Sequence, residues 1–270
     1  MRLLFIGDVV GRTGRAAIAE HLPKLREKLA LDFVVVNGEN AAGGFGITET
    51  IAQDFLNAGA DCITLGNHSF DQREALVFIT RAPHLLRPMN YPAGTPGRGA
   101  WLYETAKGER VLVMSIMGRI FMDAMDDPFA AVEKELAACP MGLGCDVAIL
   151  DIHAETTSEK QAMAHFVDGR VSMAVGSHTH CPTADYQILT HGSAFQSDAG
   201  MTGDYDSVIG MDKEEPIRRF TRKVPGGRFE PAEGAATLCG LFVETGADGL
   251  ARRVEPVRIG GKLAQAMPTV

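Results

Sequence analysis

The sequence predicts an α/β fold, because short apolar runs alternate with longer amphipathic stretches along most of the chain. The apolar fraction is 46% and the charged fraction 22%, which is ordinary for a globular protein and excludes a disordered or fibrous chain. The 270 residues can bury a substantial core, and nothing in their order forces a division. We therefore expect one domain over residues 1–270, built from βαβ units around a mostly buried sheet.

Apolar runs that are rich in β-branched residues predict eight strands, at residues 3–6, 33–36, 62–65, 111–116, 147–150, 173–175, 236–244 and 254–259. Helical periodicity predicts five helices, at residues 15–29, 49–57, 74–80, 128–138 and 158–167. Thr48 suits the N-cap of the second helix. Residues 202–234 mix Gly, Pro and charge without a period, and such long irregular segments are commonly binding loops. An active-site rim or lid is expected near residues 200–234.

Charge and cysteine content limit the partners of the chain. A net charge of −8 argues against a surface for duplex DNA, whose phosphates are bound by clustered Lys and Arg. The five cysteines are scattered without C-x-x-C spacing, so neither a disulfide framework nor a thiolate zinc site is indicated. No stretch approaches the roughly 18 apolar residues of a membrane span, and Asp8 interrupts the first apolar run too early for a signal sequence. A cytoplasmic protein without a membrane partner is expected.

Side chains with metal-ligand chemistry follow five of the predicted strands. In chain order they are Asp8, Glu39 with Asn40, Asn67 with His68, His153, and His178 with His180. Any one of them alone is more commonly an N-cap or a satisfied loop residue. Ligands in open α/β sheets bind beyond the carboxyl ends of the strands, so the fivefold repetition predicts a site along one edge of the sheet.

The ligand types indicate two metal ions. Oxygen and imidazole donors without thiolate suit manganese, iron or zinc, and this many donors exceed the needs of one ion. Two divalent ions facing the carboxylates of Asp8 and Glu39 would leave a surplus of about two positive charges, enough for a phosphodiester and a hydroxide. Such a pair of ions, roughly 3.5–4 Å apart, generates hydroxide at neutral pH and clamps phosphoryl oxygens. Phosphoester hydrolysis is the expected reaction.

The candidate ligands lie in five short motifs: Gly7-Asp8, Gly38-Glu39-Asn40, Gly66-Asn67-His68, Asp151-Ile152-His153 and Ser177-His178-Thr179-His180. In this order the motifs resemble the YmdB-like branch of the calcineurin-like metallophosphoesterases. The wider superfamily has a His where this chain has Val10, and an Asp where it has Glu39-Asn40; both departures are features of the YmdB-like branch. Residues 38–44, 66–71 and 201–211 match as well, and the resemblance extends over residues 1–259.

The resemblance implies a sandwich of two sheets flanked by helices, and hydrolysis of 2′,3′-cyclic nucleotides to 3′-nucleotides. It also implies two divalent or mixed-valence ions, of iron or manganese or both, with Glu39 bridging them. One ion would be held by Asp8, Glu39, Asn40 and His180, and the other by Glu39, Asn67, His153 and His178. The substrate would be a small cyclic nucleotide or the 2′,3′-cyclic phosphate end of an RNA, and a homo-oligomer is expected.

His68 is the expected general acid. Neighbouring loop side chains usually diverge, so if Asn67 binds metal, His68 can face the substrate uncoordinated. It would then protonate the leaving 2′ oxygen, with its ring oriented by Asp71. The alternative is a structural hydrogen bond.

Other residues are expected to support or line the site. Phe45 or Tyr205 could stack on the base, while Asp151, Glu155 and Asp198 are candidate supporting acids. No Gly-x-Ser-x-Gly motif occurs, so a serine nucleophile elbow has no support. Two alternatives stay open: a phosphomonoesterase or nucleotidase with the same metals, and a regulator that binds a nucleotide or RNA end without turnover.

Overall fold

The computed structural model describes residues 1–269, which form two β-sheets packed face to face with helices on the outer surfaces. The strands are β1 (Arg2–Ile6), β2 (Phe33–Asn37), β3 (Cys62–Thr64), β4 (Leu85–Leu86), β5 (Ala100–Glu104), β6 (Arg110–Met117), β7 (Val147–His153), β8 (Met173–Ser177), β9 (Gln187–Ile188), β10 (Ala194–Gln196), β11 (Gly203–Asp204), β12 (Ala236–Thr245) and β13 (Ala251–Ile259). The helices are α1 (Gly11–Lys28), α2 (Glu49–Ala58), α3 (Ala75–Phe78), α4 (Pro128–Ala138), α5 (Thr157–Val167) and α6 (Glu214–Arg222).

The first sheet has the order β11, β12, β1, β2, β3, β4, and β13 also pairs with β12. Strands β1 to β4 run parallel, whereas β12 is antiparallel to β1. The register pairs Ile6 with Val36 and Asn37 with Thr64. Strands β1, β2 and β3 therefore end at the same edge of this sheet.

The second sheet has the order β5, β6, β7, β8, β10, β9. Its central strands β6, β7, β8 and β10 run parallel, and the outer strands β5 and β9 are antiparallel to their neighbours. His153 at the end of β7 pairs with Met117 on one side and Ser177 on the other. Three carboxyl ends of this sheet therefore coincide.

Alternating side chains divide the apolar interior into three layers. Leu3 and Phe5 of β1 face the second sheet and pack in one cluster with strands β6, β7 and β8. Leu4 and Ile6 face the opposite way, into a cluster that includes Leu22 of α1 and residues of α2. A third cluster packs α4 and α5 on the outer side of the second sheet. Each fully buried large apolar side chain contributes roughly 1.5–3 kcal/mol, so these layers fix how the two sheets meet.

The predicted elements are present, with shifted ends. All eight predicted strands are observed; α1 begins at Gly11 rather than residue 15, and α3 is only one turn long. The two-sheet sandwich implied by the resemblance is confirmed. The expectation of one mostly buried sheet with ligands along one edge is wrong, because β6 to β8 form a sheet of their own. Within residues 1–269, no helix combines the length and apolarity that a bilayer crossing requires.

Residues 202–234 are less irregular than predicted, because they contain the short strand β11 and the helix α6. Helix α6 places only Pro216 in a buried position, and Ile217 and Phe220 remain exposed. This helix has nine residues, of which only Pro216, Ile217 and Phe220 are apolar, so its pattern is too short to be predicted from the sequence.

Candidate metal centre

The seven predicted ligands lie together where the carboxyl ends of the two sheets meet. The first sheet presents Asp8 after β1, Glu39 and Asn40 after β2, and Asn67 after β3. The second sheet presents His153 at the end of β7, and His178 and His180 after β8. All seven are buried or half-buried, and charged or polar side chains are rarely buried unless they are paired or bind a metal ion.

Four of these side chains form a compact group around the Nε2 atom of His153. That atom lies 3.0 Å from Oε1 of Glu39, 3.0 Å from Oδ1 of Asn67 and 3.1 Å from Nδ1 of His178. Donors bound at about 2.0–2.2 Å to one ion are themselves separated by roughly 3 Å. The spacing therefore fits a shared metal ion.

The other three side chains form a wider group beside it. Nε2 of His180 lies 3.9 Å from Oδ1 of Asp8, and the carboxylate of Asp8 accepts a hydrogen bond from the backbone N–H of His178. Asn40 donates from Nδ2 to the carbonyl of Gly44 at 2.9 Å. Its Oδ1 is buried and has no hydrogen-bond partner within residues 1–269.

The unpaired oxygen of Asn40 is direct evidence that the residues fit a cation. A buried amide oxygen without a partner costs about 1–3 kcal/mol, and a bound metal ion would satisfy it. Gly66 gives a second indication, because a Cβ at that position would overlap the His153 ring and a carboxylate oxygen of Glu39. The donors are thus packed around a space that no side chain at residue 66 could share.

A polar network beneath the centre orients His153. Nδ1 of His153 lies 2.9 Å from Oγ of Ser177, which donates to Oδ1 of the buried Asp151 at 2.6 Å. Asp151 also accepts from Thr64 at 2.6 Å and from Asn37 at 3.1 Å. With Nδ1 engaged in this way, Nε2 is the nitrogen that faces the other ligands.

Sequence reasoning proposed Asp151 as a supporting acid but missed Ser177, Thr64 and Asn37. All three lie at strand ends beside the candidate ligands, and that position was the available signal. Glu155, another proposed supporting acid, places Oε2 3.1 Å from Nε2 of His178.

The loop after β8 has an unusual backbone that is held from below. His178 and His180 have φ values of 95° and 66°, a region that residues other than glycine rarely adopt. Between them, Thr179 donates both its N–H and its hydroxyl to Asp198. The same carboxylate accepts from Nζ of the buried Lys160 at 2.8 Å. The buried ion pair therefore anchors the loop that aims the two histidines.

Burial and mutual charge set the protonation of the centre. Burial raises the pKa of Asp8 to about 6, although His180 and His153 oppose it. Burial alone would raise the pKa of Glu39, but the charge and hydrogen bond of His153 outweigh burial and hold that pKa well below its usual range. Burial lowers the pKa of His153, yet the carboxylate of Glu39 reverses this effect and raises it. Burial and the charge of His153 lower the pKa of His178 to about 3. Ionised carboxylates at this depth favour a cation between them.

His68 faces a cavity beside the ligands. Its Nδ1 lies 2.8 Å from Oδ2 of Asp71, as predicted, and its ring meets the ring of Phe45 edge to face with centroids 5.1 Å apart. The cavity has a volume of about 330 Å³, and His68, Phe45, Glu39 and His178 contribute to its lining. With Nδ1 engaged by Asp71, Nε2 of His68 is free of that carboxylate.

Tyr205 is not part of the lining of this cavity, so the expectation that a base stacks on Tyr205 there is wrong. Its hydroxyl accepts from the N–H of Met201 at 2.9 Å and also lies close to the carbonyl of His180 and to Sγ of Cys239. Burial raises the pKa of the phenol, consistent with a packed position. Tyr205 therefore braces the loop behind His180, whereas Phe45 does line the cavity.

A comparison with protein-family models matches residues 4–257 to a family described as YmdB-like protein. The chain belongs to the YmdB-like family. The match covers every element from β1 to most of β13, and so includes all seven candidate ligands and His68.

Similar proteins extend the comparison. The chain is 46% identical over 244 residues to a protein of Bacillus subtilis named 2′,3′-cyclic-nucleotide 2′-phosphodiesterase, covering 90% of this chain and 91% of the relative. A solved structure from Thermus thermophilus, described as a hypothetical protein, superposes with a TM-score of 0.90 at 40% identity, over 97% of this chain and all of that one. A Mycoplasma pneumoniae structure, described as a novel phosphatase, gives a TM-score of 0.89 at 33% identity, over 96% and 93% of the two chains. The YmdB-like fold is thus shared over nearly the whole chain.

Proposed function

We propose that this protein is a dinuclear metal-dependent phosphodiesterase that hydrolyses 2′,3′-cyclic nucleotides to 3′-nucleotides. The main observation behind the proposal is the position of His68. Its side chain lines the same cavity as the candidate ligands Glu39 and His178, and its Nδ1 contacts the carboxylate of Asp71. The Bacillus subtilis relative, named for this activity, supports the proposal at 46% identity.

We infer that the seven ligands hold two ions. Asp8, Glu39, Asn40 and His180 would hold one, and Glu39, Asn67, His153 and His178 the other. The donors are oxygen and imidazole without thiolate, which suits iron or manganese. Such ions, when bound, supply a hydroxide nucleophile at neutral pH and offset the charge of the phosphoryl oxygens.

His68 would act as the general acid that protonates the leaving group. Attack on phosphorus breaks the bond to the 2′ oxygen, which leaves with the electron pair of that bond. The proton on Nε2 of His68 passes to this oxygen and gives the 2′-hydroxyl, while the phosphate stays on the 3′ oxygen. General-acid assistance of this kind is worth roughly 10²–10⁴-fold. Asp71 would keep the ring in place by accepting from Nδ1–H.

A free cyclic nucleotide and the cyclic phosphate end of an RNA present the same ring to the site. The net charge of −8 favours the smaller of these substrates, because a long anion would be repelled. We further propose a cytoplasmic location, which the free thiols of all five cysteines support. Self-association stays a prediction, to be measured by light scattering.

The test is product analysis with manganese- or iron-loaded protein and 2′,3′-cyclic AMP. Formation of 3′-AMP rather than 2′-AMP is expected, with a loss of roughly 10²–10⁴-fold in kcat for His68→Ala. His191→Ala is the matched control, because His191 also pairs with a carboxylate, Asp168 at 3.0 Å, but does not line the cavity. Metal content, measured for each protein, should be equal in all three.

The two alternatives predict different results in the same assay. The name of the Mycoplasma pneumoniae relative favours testing a monoester. Faster hydrolysis of 5′-AMP than of the cyclic diester would replace the proposal with a nucleotidase. Metal-loaded protein that binds the cyclic nucleotide but returns it unchanged would favour a non-catalytic regulator.

A further inference from the structure

The cavity beside His68 has two chemically unlike walls. One wall carries the metal ligands, with Glu39, Asn40, His178 and His180. The second wall comes from the segment between β11 and β12, and it is apolar apart from Arg219. A volume of about 330 Å³ lies at the lower end of the range for small-molecule sites, roughly 300–1,000 Å³. The cavity is therefore larger than a phosphate group, and apolar side chains line the remaining space.

Two large side chains of the apolar wall are exposed to solvent. Ile209 is 56% exposed and Phe220, on helix α6, is 75% exposed. The buried Met211 and the half-buried Phe229 line the same wall, together with Val208, Pro216 and Arg219. Single exposed apolar residues are common in soluble proteins, but several that line one side of a catalytic cavity mark a binding surface.

The polar groups of this wall are already engaged. Arg219 donates from Nε to Glu215 at 2.6 Å and from a terminal nitrogen to the carbonyl of Gly227 at 2.8 Å. Its guanidinium lies over the ring of Phe229, with 3.9 Å between Cζ and the ring centroid. The Arg219 side chain thus packs on Phe229, and few of its N–H groups remain to donate hydrogen bonds to a ligand.

We propose that Ile209, Met211, Phe220 and Phe229 form a nucleobase subsite that binds the base by stacking and apolar contact. The inference rests on the proposed function, because a diester held at the ligand wall would direct its base across the cavity. Aromatic stacking tolerates any base. All four 2′,3′-cyclic nucleotides should therefore be cleaved with kcat/KM values within about tenfold of one another.

The kinetic test compares 2′,3′-cyclic AMP with a base-free diester, 1-O-methylribose 2,3-cyclic phosphate. Base stacking contributes roughly 1–3 kcal/mol by alanine substitution, so Phe220→Ala and Phe229→Ala should lower the ratio of kcat/KM for the two substrates by about 5- to 160-fold. Most of the change should lie in KM. Phe166→Ala, a 40% exposed phenylalanine on α5 outside the cavity, should leave the ratio unchanged.

The binding test does not depend on turnover. Phe220→Trp keeps an aromatic surface and adds a fluorescent reporter to a chain whose one other tryptophan, Trp101, lies on β5 outside the cavity lining. Titration with 3′-AMP should quench the new emission saturably. Ribose 3-phosphate should not, and the parent protein should respond to neither.

The outcomes separate the subsite from the reaction. An unchanged substrate ratio in both alanine variants, or a preference above about tenfold for one base, would overturn the subsite while leaving the phosphodiesterase activity in place. If the wild-type protein cleaves neither substrate, the proposed function fails, and the fluorescence titration then decides the subsite alone. Unquenched emission, with 3′-AMP binding verified by calorimetry, would exclude stacking on residue 220.

Discussion

The backbone carbonyl of Ile209 lies 2.8 Å from Nδ1 of His180 and accepts its hydrogen bond. This contact leaves Nε2 of His180 on the side of Asp8, where a metal ion could bind it. Ile209 adopts a φ of 47°, a conformation that is a genuine outlier for a β-branched residue. Its side chain meanwhile lines the apolar wall of the cavity. One strained residue thus joins the metal centre to the proposed base subsite.

Replacing Ile209 should relieve this strain. Asn tolerates the left-handed region, so Ile209→Asn is expected to raise the free energy of unfolding by about 1 kcal/mol in metal-free protein. Urea denaturation measures the change. Ile217→Asn is the control, since Ile217 is similarly exposed but lies within helix α6, and it should give no gain. Loss of stability in Ile209→Asn would show that the side chain, rather than the backbone, decides the energy there.

Removing the hydroxyl of Ser177 should weaken metal binding. Ser177→Ala frees Nδ1 of His153 and leaves Asp151 with one fewer donor, so metal affinity should fall roughly 10- to 100-fold. Stability should fall by about 1–3 kcal/mol. Competition with a fluorescent chelator measures the affinity. Ser193→Ala removes an equally buried hydroxyl that bonds Val171 and Gly169, and it should cost stability without changing metal affinity. Equal metal loss in both variants would contradict the orienting role.

Breaking the buried ion pair should be severe. Lys160→Met leaves the carboxylate of Asp198 buried and unpaired, with an expected loss of about 3–5 kcal/mol in the free energy of unfolding. The matched surface pair is Arg170 with Glu133, 2.7 Å apart, and Arg170→Met should cost less than about 1 kcal/mol. A similar small effect in Lys160→Met, measured by urea denaturation, would mean that water reaches the Asp198 carboxylate in the variant.

Neutralising Asp71 should reduce the rate more than the binding. Asp71→Asn keeps an oxygen near Nδ1 of His68 but loses the charge that favours its N–H, so kcat should fall about tenfold with KM nearly unchanged. Asp54→Asn, an exposed change on α2, is the control. Rates within twofold of wild type, at equal metal content, would mean that the charge of Asp71 does not orient His68 and that the contact with Phe45 does so instead.

Residues at the ends of strands were the part of the site that the sequence could predict. Asp8, Asn67 and His153 each follow or end an apolar run, and parallel strands bring such positions together whichever sheet they belong to. The division into two sheets could not be read from periodicity, because a strand buried on both faces looks the same in either sheet. Only the family resemblance predicted the division into two sheets.

The supporting groups were harder to predict, because their roles depend on contacts distant in sequence. Ser177 and Asn37 are short polar residues in otherwise apolar strands, and they contact each other only in the folded protein. The sequence around Lys160 predicts an exposed helical lysine, and its ion pair with Asp198 is visible only in the structure. Tyr205 is close in sequence to the cavity wall but turns its hydroxyl inward. The rim or lid role of residues 200–234 stays a prediction.

Strand β1, which Asp8 follows, pairs on one side with β2 but on the other with β12, so that Arg2 lies opposite Glu244. A ribosome releases β1 long before it has made β12. The edge of β1 that pairs with β12 therefore stays unpaired until residues 236–245 have emerged, and contacts this distant in sequence form slowly. We expect metal capture to be a late, post-translational event, and the exposed edge of β1 to be the point at which a nascent chain is most prone to aggregate.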